Sequence, residues 1–206
     1  QKAHDFKLKS TDNKIISLDD VKGENGTLIM FICNHCPYVK AVTKDIVEDC
    51  KKLKDLGINS VAICANDAEN YPEDSFENMI LFAKKNQFTF PYLIDEKQEI
   101  AKTYDAVCTP DFFGYNKDLE LQYRGRLREL KNLIPVREGD SDLFKAMKQI
   151  GETGKGPETG SGSSTCAAGR YSGIFEGHER RSPPRVWCRR RSPRTQGLPF
   201  ESPDPP

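Results

Sequence analysis

The sequence predicts an α/β protein, a central mixed β-sheet flanked by helices. Three observations predict it. The unbroken apolar run "TLIMFI" at 27–32 and a second segment, "INSVAICAN" at 58–66, read as interior strands covered on both faces. Segments with apolar residues three and four apart follow them, as on one buried helix stripe. Strand and helix patterns then alternate along the chain, which is the order of a layered α/β unit.

Taken in order, "HDFKLKSTDNKIISLDDV" reads as two short strands about a turn at Asp12-Asn13. "TLIMFI" is the first interior strand. Pro37 opens a helix with its preset φ, and Val39, Val42, Ile46, Cys50 and Leu53 form its stripe. Gly57 closes that helix before the second interior strand. "PEDSFENMILFAKKN" is expected to start a helix at Pro72, with Glu73, Asp74 and Glu77 near its positive end. Its apolar face would be Phe76, Met79, Ile80 and Ala83. "FTFPYLI" is a third strand, and Asp95 with Gln98 predicts a capping box for a short helix reaching Tyr104. "DFFGYN" and "LELQYRG" form a hairpin about Asn116-Lys117-Asp118. A poorly patterned stretch leads to a last helix, "SDLFKAMKQI", through Leu143, Phe144, Met147 and Ile150.

Charge and composition divide the chain. Its 206 residues are formally neutral, but residues 1–156 are net acidic and residues 157–206 carry 8 Arg, no Lys and 5 acids. That last segment holds 8 of the 13 prolines and lacks the apolar mass to offset the entropy of ordering. A globular domain over 1–156 and a disordered Pro/Gly/Ser/Arg-rich tail over 157–206 are expected. "RRRSPR" in the tail is too short an arginine cluster to predict nucleic-acid binding. No stretch has the roughly 18 apolar residues of a membrane span. There is no cationic-then-apolar leader, although the chain opens at Gln1, so export is only weakly disfavoured and a cytoplasmic setting is expected. No strand is followed by GxxxxGK[ST], and "GKGPETGSGSS" lacks that pattern, so a nucleotide cofactor is not expected.

Seven cysteines in a chain with this apolar patterning do not suggest a disulfide scaffold. Cys33 and Cys36 stand two residues apart in "CNHC", where a buried strand gives way to a helix. This reading puts Cys33 at the helix opening and Cys36 about one turn in. Free N–H groups at a helix start favour the thiolate, the nucleophilic form of the thiol. The spacing lets the two sulfurs close a disulfide. His35, when protonated, would stabilise the thiolate further. Zinc needs about four ligands. No second CxxC exists, and His4 and His178 fall outside the periodic core, so no metal is expected. Cys50 and Cys64 lie on apolar patterns and read as small hydrophobes. Cys166 and Cys188 are in the tail.

"FICNHCPYVK", "NDAENYPEDSFENM" and "YDAVCTPDFFGYNKDLELQYRGR" together resemble the thioredoxin-like superfamily, in its redoxin or alkyl-hydroperoxide-reductase/thiol-specific-antioxidant (peroxiredoxin-like) branch. The likeness runs from roughly Ala3 to Glu158. It implies a thioredoxin-like fold and a thiol–disulfide oxidoreductase in which Cys33 is the exposed attacking thiol and Cys36 the buried resolving one. It also implies that Thr109-Pro110 is the family's cis-proline segment, whose backbone lies beside the pair and can align an extended substrate. Cys108, two residues earlier, is then either a packed loop thiol or a third redox-active cysteine.

Departures from the family pattern keep other functions open. Peroxiredoxins resemble TxxC with the peroxidatic residue at Cys36, but here Cys33 replaces the threonine. No Arg stands in "VCTPDFF", where the family holds its peroxide. Thioredoxins proper carry a Trp before the pair and Gly-Pro within it. This chain has Ile32, and Asn34-His35. "TLIMFI" also lacks their buried acid. The alternatives are a thiol peroxidase with Cys36 peroxidatic, and a redoxin-fold binding module without catalysis. The partners implied are a dithiol electron donor and either a disulfide-bearing protein or a peroxide.

Overall fold

The structure is a computed structural model that describes residues 1–157. Apart from its first residue, the expected tail, with Cys166 and Cys188, lies outside the described residues. The chain runs through β1 (Lys7–Ser10), β2 (Ile15–Ser17), α1 (Leu18–Val21), β3 (Gly26–Phe31), α2 (Pro37–Asp55) and β4 (Ile58–Cys64). A 3-10 turn (Pro72–Asp74), α3 (Phe76–Lys85), β5 (Tyr92–Ile94), α4 (Glu99–Thr103) and the hairpin β6 (Asp111–Asn116) and β7 (Leu121–Gly125) follow. A two-residue hairpin, β8 (Leu130–Lys131) and β9 (Ile134–Pro135), precedes α5 (Asp142–Thr153).

Seven strands form one mixed sheet in the order β2-β1-β5-β4-β3-β6-β7. β3 lies at its centre, parallel to β4 and antiparallel to β6. Every residue of β3 is buried, because successive side chains enter opposite cores. Leu28 and Met30 join the core under α2 and α5. Ile29 and Phe31 join the other, with Phe6, Leu18, Leu93, Tyr104 and Phe113. Each such side chain contributes about 1.5–3 kcal/mol relative to exposure. The α2 stripe is buried at all five predicted positions. Gly57, at φ +73, ends that helix, its N–H bonded to the Lys54 carbonyl.

Three local expectations need correction. The first hairpin stops at Ser17 because Ser17 and Asp20 make a reciprocal capping box that starts α1. The helix expected from Pro72 begins at Phe76. Ser75 caps it by accepting the Asn78 N–H, which leaves Glu73 and Asp74 in a separate 3-10 turn. Asp95 and Gln98 do not form a box. The Asp95 carboxylate accepts the N–H groups of Glu99 and Ala101, while Gln98, at φ +59, donates its side chain to the Ala65 carbonyl.

Register places the site. Phe31, the last residue of β3, pairs with Asp111, the first of β6. The loop leaving β3 therefore lies beside the segment entering β6, and Cys33 and Cys36 meet Thr109 across 76 and 73 residues of sequence.

Candidate active site

The loop Ile32–Cys36 joins the central strand to α2. Cys36 is the N-cap, with extended backbone at φ −60 and ψ 123, and Pro37 is the first helical residue. This corrects the placement of Cys33 at the helix opening. A residue before proline is driven out of the α region, so the helix cannot extend back through Cys36. Both sulfurs are buried, with no exposed area on either residue. The exposure that the resemblance implied for Cys33 is not found, because Thr109 packs over the pair. Cys33 Sγ lies 3.2 Å from Thr109 Oγ1, and Cys36 donates to the Thr109 carbonyl at 3.3 Å. The Thr109–Pro110 peptide bond is cis. Cys108 is buried in the same segment.

The two thiols occupy unlike environments. The adjacent Cys33 thiol holds the Cys36 thiol well below the ordinary range against the opposing effect of burial. The backbone N–H groups of Val39 and Tyr38 act in the same direction without forming a capping hydrogen bond. Cys33 is pushed up by the Cys36 thiol, by burial and by the charge of Asp74. Burial, with a smaller push from Asp49 on Cys50 and from Asp74 on Cys64, raises both thiols to about 12, the state of inert core thiols.

Asp74 was missed from the sequence. Its side chain has no exposure, and it reaches the loop from the 3-10 turn. Oδ1 accepts the N–H groups of Asn34 at 2.7 Å and His35 at 3.1 Å. Oδ2 accepts the Asn66 amide at 2.7 Å and meets His35 Nδ1 at 2.5 Å. Asn34 is fixed further by donating to the Glu73 carbonyl and accepting the Tyr92 hydroxyl. Tyr71 stacks on the His35 ring at 4.6 Å and 9°. The signal for Asp74 was Ser75 with Asn78 three residues on, an N-cap pattern that excludes Asp74 from the helix.

The arginines of the hairpin are tied to carboxylates. Arg124 pairs with Asp111 at 3.2 Å and Asp105 at 3.6 Å, Arg126 with Asp142 at 2.9 Å, and Arg128 with Asp45 at 3.0 Å. The position that opens β6 is held by Asp111, a buried acid, rather than by a cation.

A buried CxxC at a helix start, covered by a Thr-Pro segment on a central mixed sheet, defines a thioredoxin-like redoxin. The AhpC/TSA family model matches residues 1–129, and the chain belongs to that family. It is similar to an uncharacterized conserved protein from Geobacillus kaustophilus, at 42% identity and TM-score 0.74, over 78% of this chain and 85% of that one. A hypothetical protein from Sinorhizobium meliloti 1021 is 32% identical at TM-score 0.70, over 77% of this chain and 86% of that one. The thioredoxin domain of a thiol-disulfide oxidoreductase from Bacteroides vulgatus shares the fold at 14% identity and TM-score 0.52, over 61% of this chain and 86% of that one. None of the curated proteins matches the chain. No helix among the described residues is long and apolar enough to cross a membrane.

Proposed function

We propose that the protein is a thiol–disulfide oxidoreductase whose Cys33 and Cys36 cycle between dithiol and disulfide. The observation that carries this is the convergence of both sulfurs on Thr109. We read Cys36 as the attacking thiol, because it occupies the helix N-cap, and Cys33 as the resolving one. This reverses the assignment that the resemblance implied. In the cycle, the Cys36 thiolate attacks a substrate disulfide and releases one substrate sulfur as a thiolate. Cys33 then gives up its proton and attacks Cys36 Sγ. The Cys33–Cys36 bond forms, the mixed disulfide breaks, and the second substrate sulfur leaves reduced. A dithiol donor restores the pair. Cys33, Cys36, Cys50 and Cys64 are free, while Cys108 is disulfide-bonded. Domain bounds of 1–156, a cytoplasmic setting and a role for Cys108 as a third redox centre belong to the same proposal.

The N-cap position of Cys36 also favours a second reading, a thiol peroxidase in which Cys36 is oxidised by peroxide. No arginine is hydrogen-bonded to either sulfur among the described residues, so an oxygen leaving group would rely on helix N–H groups. Trapping separates the readings. With a protein disulfide as substrate, the Cys33→Ser variant is expected to hold a stable mixed disulfide at Cys36, and the Cys36→Ser variant none. Fast peroxide oxidation of Cys33→Ser, with a dimedone adduct on Cys36, would make the protein a peroxidase. A wild type that forms no Cys33–Cys36 bond under mild oxidation would leave a binding module.

A further inference from the structure

We propose that the reduced protein binds a divalent cation of the zinc class through Cys33, His35 and Asp74. No metal is expected from the sequence, where too few ligands stand together, and the fold adds Asp74 to them. Cys33 Sγ, a His35 ring nitrogen and an Asp74 carboxylate oxygen all lie within 4.8 Å of one another. These three supply one sulfur, one nitrogen and one oxygen. Three protein ligands with a solvent molecule in the fourth position suit zinc in tetrahedral geometry.

The charge balance points the same way. Asp74 is fully buried, and its only ion pair among the described residues is with His35. Buried anions of this kind require a paired cation. The carboxylate is also oriented in advance, since Asn34 and His35 N–H groups hold Oδ1 and Asn66 holds Oδ2. Such outer contacts orient ligands at metal sites. Ligand atoms on a tetrahedral zinc are about 3.3–3.8 Å apart, from bond lengths near 2.0–2.3 Å. The His35–Asp74 contact at 2.5 Å would therefore open by roughly 1 Å, freeing one lone pair of Oδ2 for the metal. The Cys33 thiol proton leaves to solvent as the metal–sulfur bond forms, and no electron is transferred. The bound ion would hold the Cys33 sulfur and block the disulfide, making it a reversible lock on the redox pair.

The inference uses one of the two thiols that the proposed function assigns to exchange, but it requires only that it be reduced. The test uses the full reduced chain carrying Cys166→Ser and Cys188→Ser, so that tail thiols do not contribute. Cobalt(II) is expected to give a thiolate-to-cobalt charge-transfer band at one ion per chain. Zinc should displace it, and prior oxidation of Cys33 and Cys36 should prevent it. In chelator competition, Asn66→Ala should weaken zinc about 10–100-fold, and His35→Ala or Asp74→Ala more. His35 reaches the surface, so its variant is informative even if Asp74→Ala fails to fold. Absence of the band, or unchanged affinity in His35→Ala, overturns the site. A chain that forms and exchanges the disulfide but takes no metal loses this inference alone. One that binds metal but never forms the disulfide loses only the exchange function.

Discussion

The Asp49→Asn change removes a charge from a carboxylate buried where α2 meets the start of α5. Asp49 is 3% exposed, and it accepts the Ser141 hydroxyl at 2.5 Å. Ser141 in turn caps α5 by accepting the Phe144 N–H. Burial pushes the Asp49 carboxyl from an ordinary 3.8 up to about 6, against the smaller opposing effects of Ser141 and Lys52. A carboxyl raised on folding binds its proton more tightly in the native state. Its cost is therefore fully present above about pH 6 and is relieved as pH falls toward about pH 4. A shift of roughly 2 units corresponds to about 3 kcal/mol. The amide keeps an acceptor for Ser141 but cannot titrate. Denaturant unfolding of both proteins between about pH 4 and about pH 8 should show their stability difference changing by up to about 3 kcal/mol, with the wild type gaining as pH falls. A difference that stays flat, or moves the other way, would refute the assignment of a raised carboxyl to Asp49.

Two further perturbations test the packing. A Cβ at Gly23 would run into the Gly26 carbonyl oxygen, with Asn59 N at 2.6 Å and Gly57 O at 2.8 Å. All three are backbone atoms that cannot swing aside, so Gly23→Ala should cost about 1–3 kcal/mol, visible as a lower denaturant midpoint. An unchanged midpoint would mean that the β3–β4 junction yields more easily than its contacts imply. Cys50 and Cys64, raised to about 12 by burial, should resist iodoacetamide at neutral pH until the protein unfolds. Mass spectrometry would expose the error if either were alkylated as fast in the folded protein as in urea.

Much of the fold was legible because its signals are local. β3 is an almost unbroken apolar run, β4 has an apolar stretch from Val61 to Cys64, and the α2 stripe repeats at helical spacing. The hairpin of β6 and β7 announces itself by its turn residues. The site was legible only where its residues are sequence neighbours. Cys33, His35 and Cys36 could be found together, yet their geometry was misjudged, because the effect of Pro37 on the residue before it was not weighed. Asp74 and Asn66 could not be found by spacing. Their approach to the loop depends on the return of the chain after β4, and Asp74 looked like one more acid at a helix start. The burial of Cys33 likewise depends on Thr109, which arrives 76 residues later on the segment entering β6, the neighbour of β3.

The antiparallel seam between β3 and β6 joins residues about 80 to 90 positions apart, whereas β3 and β4 pair across about 32. Closing the longer loop costs about 0.9 kcal/mol more entropy. Contacts of long sequence separation also form slowly. The β3–α2–β4 unit is thus expected to assemble first, with the β6–β7 hairpin docking afterwards. Thr109 travels with that hairpin, so both sulfurs stay open until the seam closes. The same order in reverse is the expected access route to the pair. Fraying at the leading end of β6 would uncover Cys33 and Cys36 while the unit that holds them remains folded.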